Sequence, residues 1–195
     1  MSPPSVTADE VRAVFGLTGV VHFPHDSALH DSAPHGHALH HRLDRRTAHL
    51  LSTVGLPDTE WFMSKASLRA DDPVDVPRWY ARWGAVPEEC RGWLVLALFA
   101  DTTLALDPAS GTVHALGDGP TEMTHSPLHR DVESLVHALT AFETLRQDLP
   151  DDDRDAVSRR VDALRARITA HDPLPFAHEE SPWHLVLEEV ADGIW

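Results

Sequence analysis

Residues 92–116, GWLVLALFADTTLALDPASGTVHAL, constrain the fold more than any other stretch, because they read as three successive antiparallel strands. Trp93 to Phe99 is an unbroken apolar run, the pattern of a strand covered on both faces. Thr103 to Leu106 and Thr112 to Leu116 are shorter and more mixed, as flanking strands are. Between the last two, Asp107-Pro108-Ala109-Ser110-Gly111 supplies a turn: proline pre-sets φ, and glycine takes the left-handed conformation that returns the chain. A meander fixes a fold class. It carries no catalytic motif.

Helices surround this meander. Thr7 and Glu10 have capping-box spacing, which predicts a helix to Phe15, then Gly16 and a strand at Gly19–Phe23. Asp44 opens a second helix with Leu50, Leu51 and Val54 inward, closed by Gly55-Leu56-Pro57. Trp61-Phe62-Met63 reads as a strand, and residues 69–91, broken by Pro73, Pro77 and Pro87, receive no assignment. Leu128, Val132, Leu135, Val136, Leu139 and Phe142 form one apolar stripe, which predicts a helix from Pro127 to Leu149. A further helix is expected over Asp151–Ala170, then a linker Asp172–Pro175. In the last helix Ser181 is N-cap, Pro182 is the first residue, and Trp183, Leu187 and Val190 face inward. The expectation is an α+β fold, an antiparallel sheet backed by helices, with additional C-terminal helices.

Composition narrows the class. A chain of 195 residues with 42% apolar residues suits one domain over 1–195. It divides into an N-terminal helix, strand and histidine-rich loop (1–43), a core (44–149) and a C-terminal helical extension (150–195). No run of eighteen apolar residues exists, the N-terminus lacks a basic-then-apolar leader, and Cys90 is the one cysteine. A cytoplasmic protein without a membrane span is expected. The net charge of −15 is concentrated: residues 92–149 and 172–195 together contribute −12 of it. Such a surface repels nucleic acid and anionic membranes and attracts basic partners; solubility alone also explains it.

The chain resembles the SUKH superfamily, specifically its fourth family of bacterial immunity proteins. The residues that carry the resemblance are His49–Pro57 (HLLSTVGLP), Leu104–Val113 (LALDPASGTV), Thr124–Leu139 and Trp183–Trp195 (WHLVLEEVADGIW). Where that family has an Asn-Ser-Ser-Leu type sequence before its post-sheet helix, this chain has Thr124-His125-Ser126-Pro127-Leu128. The resemblance implies a non-enzymatic antidote to a cognate polymorphic toxin.

Other chemistry has less support. Eight histidines fall within residues 22–49, and His35, His37, His40 and His41 offer an alternative metal site or a proton-sensing loop. No HExxH, cysteine pair or nearby glutamate completes such a site, so no cofactor is expected. There is no GxSxG elbow, and Gly117-Asp118-Gly119 lacks the GKS/T of a phosphate loop and closes the third strand. Asp151-Asp152-Asp153 reads as charge at a helix start. The expected partner is a basic toxin domain, a nuclease being one case; the alternatives are a metal-binding protein or small metal-dependent enzyme built on the histidine-rich loop, and a multi-partner scaffold. The candidate contact residues are Asp101, Asp107, Asp118, Glu122, Glu179, Glu180, Glu188, Glu189 and Asp192, with Trp79 and Trp83 as apolar anchors.

Overall fold

The apolar run of the meander becomes the second strand of a five-stranded sheet. The computed structural model describes residues 6–22, 43–64, 74–81, 85–119, 123–149 and 154–194. Along the chain these form α1 (Ala8–Phe15), β1 (Val20–Val21), α2 (Arg45–Thr53), β2 (Leu56–Pro57), β3 (Phe62–Met63) and α3 (Val76–Trp79). After a 3₁₀ turn at Glu88–Gly92 come β4 (Leu94–Phe99), β5 (Thr102–Leu106), β6 (Val113–Asp118) and β7 (Met123–His129). The chain continues with α4 (Val132–Gln147), α5 (Arg154–His171), a 3₁₀ turn at Leu174–Phe176 and α6 (Pro182–Ala191). The main sheet is antiparallel in the order β3-β4-β5-β6-β7, and β1 pairs with β2 in a separate ribbon. The fold is therefore α+β.

Local sequence explains most of these boundaries. Thr7 Oγ1 accepts from the Glu10 amide, while Glu10 Oε2 accepts from the Thr7 amide at 2.8 Å. Asp44 caps α2 by accepting from the amides of Arg46 and Thr47. Gly55 then reverses the chain with φ 81°; a Cβ there would meet Val21 O at 2.7 Å, so no larger residue fits. The Asp107–Gly111 turn is held by Asp107, whose Oδ1 accepts from the Ala109 amide and whose Oδ2 accepts from the Ser110 hydroxyl.

Three expectations change. The strand expected over Gly19–Phe23 is only Val20–Val21 among the described residues. The helix expected from Pro127 begins at Val132, capped by Asp131, whose Oδ1 accepts from the Ser134 amide at 2.8 Å. Residues 123–129 are instead the edge strand β7, paired to β6. Pro127 disfavours a helical residue before it, and on an edge beside the β6 irregularity at Val113/His114 its missing N–H is tolerated. The Asp172–Pro175 linker is instead a tight turn with Asp172 and Pro175 buried, leading into the 3₁₀ turn at Leu174–Phe176.

The sheet has two unlike faces. Leu94, Leu96, Phe99, Leu104, Leu106, Val113, Ala115 and Leu128 join the main core beneath α4 and α6. Trp183 of α6 is fully buried there, 4.8 Å ring-to-ring from Phe99. The opposite face holds a smaller cluster: Trp93, Val95, Ala105, Leu116 and Met123 pack with Cys90 and with Val76 and Tyr80. Among the described residues α3 and the Glu88–Gly92 turn lie over this second face, and at one end of it Leu98 is half-buried and Asp101 and Asp118 are exposed.

Candidate partner-binding face and a buried polar clamp

Two polar constellations stand out, one inside and one outside. Inside, His129, Ser134 and Asp172 come together with Trp183. All are essentially solvent-free: His129 is 0% and Asp172 1% exposed. The strand end β7 supplies His129, the first turn of α4 supplies Ser134, and the residue after α5 is Asp172. Trp183 Nε1 donates to His129 Nε2 at 2.9 Å, so the remaining ring proton sits on Nδ1, facing Ser134 Oγ at 3.1 Å. The Ser134 hydroxyl donates to Asp172 Oδ2 at 2.6 Å, and the amides of Arg130 and Leu174 donate to the same carboxylate.

Serine, histidine and aspartate together invite a hydrolase reading, and the geometry rejects it. The hydroxyl donates to the carboxylate instead of to a ring nitrogen, the other ring nitrogen is occupied by an indole, and the group is sealed in the core. Protonating His129 would point an N–H at the Trp183 N–H. Burial lowers its pKa, with Asp172 opposing. Burial alone would raise the Asp172 pKa, but the nearby His129 ring and hydrogen bonds from Ser134 and two amides hold it well below the usual carboxylate range. The group is a clamp that ties β7, α4, α5 and α6 at one point.

Outside, the open face carries a cleft of about 600 Å³ lined by Trp79, Tyr80, Leu98, Asp101, Thr103 and Asp118, with Leu116 in its floor. Trp79 Nε1 donates to Thr103 Oγ1 at 3.1 Å, which fixes the indole against β5. Burial raises the Tyr80 pKa, with Asp118 nearby adding to the rise and Thr103 opposing. Asp101 and Asp118 are exposed, and among the described residues neither carboxylate has a hydrogen-bond or ion-pair partner. Asp101 sits with Ala100 in the two-residue β4–β5 hairpin. Their φ values of 46° and 62° are those a type I′ turn demands and non-glycine residues resist.

The candidate contact residues thus separate. Asp101, Asp118 and Trp79 meet at the cleft. Asp107 lies at the far end of β5, its carboxylate engaged in its own turn beside Glu89 and Trp93. Glu179, Glu180, Glu188 and Asp192 are exposed, and Glu189 half-buried, on the helical layer across the sheet from the cleft. Glu122, Trp83, His35, His37, His40, His41 and Asp151–Asp153 lie outside the described residues. The sequence reading missed Tyr80, Leu98 and Thr103. Leu98 and Thr103 pair across β4 and β5, an outward position that period-two alternation marks.

Cys90, fully buried, has its pKa pushed up to about 11, chiefly by burial, which makes it a packing residue and not a nucleophile. Among the described residues no three His, Cys, Asp or Glu side chains group as a metal site. None of the described helices is long and apolar enough to cross a membrane.

No curated protein and no solved structure matches the chain. The model of the SUKH-4 immunity protein family matches residues 6–189, a span that takes in the meander, the clamp and both faces of the sheet. The chain belongs to the SUKH-4 immunity protein family.

Proposed function

We propose that this protein works in the cytoplasm as a non-enzymatic antidote, binding one cognate toxin and occluding its active cleft with the open face of the sheet. The observation that carries this reading is the aromatic-walled cleft whose two carboxylates, Asp101 and Asp118, have no partner among the described residues. In a protein of the SUKH-4 immunity family with net charge −15, that face suits a basic partner surface. A nuclease toxin fits particularly well, because a cleft built for phosphates is already positive and an acidic face competes for it. Charge raises the association rate, while apolar contact with Trp79 and the floor of the cleft sets the residence time.

The experiment is co-expression with the product of the neighbouring toxin gene, then stopped-flow association of the purified pair across a salt series. The expected result is a stable one-to-one complex that protects the host and forms about tenfold more slowly at physiological than at low ionic strength. Protection without a complex would remove the binding mechanism, and salt-independent association would remove its electrostatic part.

A further inference from the structure

We infer that the cleft on the open face is an arginine socket: it takes the guanidinium of one arginine at the tip of a partner loop, held between Asp101 and Asp118 and stacked on Trp79. The inference rests on the reading of this chain as a toxin-binding antidote and specifies what that partner must present.

The two carboxylates are the first ground. β5 pairs with β6 antiparallel, with Thr103 opposite Leu116. Just beyond the last pair of that ladder, Asp101 in the β4–β5 hairpin and Asp118 at the end of β6 both line the cleft. Two carboxylates lining one cleft repel one another. Here neither has a compensating cation among the described residues, and no arginine, lysine or histidine is among the described residues that line the cleft. A single positive group between the two would relieve that repulsion.

The walls select which cation. Leu98 and Leu116 give an apolar floor for an aliphatic stem, and the Trp79 ring, fixed by its bond to Thr103, gives a stacking surface. A planar guanidinium combines stacking on an indole with bidentate bonds to carboxylates; a compact ammonium keeps its water and does both less well. Among the described residues a bare divalent ion would find two carboxylates, too few for a protein cation site. At about 600 Å³ the cleft exceeds one side chain, so the arginine arrives on a loop tip whose neighbours fill the remainder.

The probe is N-acetyl-arginine amide, titrated into the full chain while the indole N–H resonance of Trp79 is followed by NMR. N-acetyl-citrulline amide, the uncharged isostere, and N-acetyl-lysine amide serve as comparisons. The expected result is a saturable millimolar shift with the arginine amide, weaker with lysine and absent with citrulline, and lost in the Asp101→Asn/Asp118→Asn variant. An equal response to citrulline, or a response that survives the double variant, overturns the socket. In the complex with the neighbouring toxin, the double variant is expected to weaken affinity about ten- to a hundredfold. Unchanged affinity there overturns the socket while leaving the antidote reading intact; failure of the unaltered chain to bind that toxin at all strikes the antidote reading, whatever the amide titration gives. Because both substitutions are isosteric and sit on the surface, the unfolding midpoint of the double variant serves as the folding control.

Discussion

Replacing Asp172 by alanine should be among the most damaging single changes outside the apolar core. The carboxylate accepts from Ser134 Oγ at 2.6 Å, the Arg130 amide at 2.8 Å and the Leu174 amide at 3.1 Å, with His129 Nδ1 at 3.7 Å. Hydrogen bonds to a charged group contribute roughly 1.5–3 kcal/mol each, and buried donors left without a partner cost most of that. Three such losses sum to more than relaxation and entering water allow, so about 3–5 kcal/mol is expected. That is a large share of the roughly 5–15 kcal/mol that holds a domain folded. Asp172→Asn should cost less, about 2–3 kcal/mol, because the amide oxygen still accepts and the Ser134 hydroxyl can turn to accept from the new NH₂.

Urea unfolding, followed by far-UV circular dichroism and tryptophan fluorescence, measures both. A double-mutant cycle with Ser134→Ala should return a coupling of about 1–2 kcal/mol. The pH dependence gives a second check. The folded pKa of Asp172 lies below its unfolded value of 3.8, so its contribution is fully present above that value and is lost as pH falls through the folded pKa. The alanine penalty should hence stay constant across neutral and mildly acidic pH. A loss under about 1 kcal/mol, or one that fades well above pH 3.8, would refute the clamp as a source of stability.

Two further outcomes are expected. Asp101→Gly should raise the urea midpoint, by about 0.5–1 kcal/mol in stability, because glycine removes the left-handed penalty at φ 62°; no gain would mean the hairpin is unstrained. Acid should destabilise the fold through His114 and His137, both held down to about 4, first by burial and then by His125 and His171 respectively. Their folded values lie below the unfolded 6.5, so stability is complete above that pH and is lost as pH falls toward 4. Each half-buried ring, discounted for solvent screening, contributes about 1–2 kcal/mol. In a pH series of urea midpoints His137→Gln should flatten the fall, and an unchanged profile would count against it.

What could be read from the chain alone was what is local. The capping box at Thr7, the Asp107–Gly111 turn and the Ser181 cap each depend on residues within a few positions, and each forms as spacing implies. β7 failed because Leu128 falls in helical register with Val132, although the strand stops and α4 starts between them. The proline two residues after His125 carried the contrary information, since it disfavours a helical Ser126. Asp172 looked like linker because its partners Ser134 and Arg130 lie 38 and 42 residues away. The cleft was half legible: acidic residues and Trp79 could be picked out one by one. That Asp101 and Asp118 share a cleft depends on β5 lying beside β6, and that Glu188 does not join them depends on which side of the sheet α6 packs.

The two polar constellations differ in a way that suits an antidote. Asp172 and its partners spend buried hydrogen bonds on rigidity, and Phe99 and Leu104, both wholly buried, flank the strained hairpin on the helical side. Burying one such side chain stabilises by roughly 1.5–3 kcal/mol, against roughly 1–2 kcal/mol for a non-glycine residue in left-handed conformation. The inner face therefore wins, and the hairpin keeps Asp101 at the cleft whatever its own preference. Since Leu98, Asp101, Thr103 and Asp118 point away from the main core, their identities can change without disturbing the residues that fold the chain. On the proposed antidote reading, a surface free to vary on an interior that is not would place specificity in the outward positions of the meander.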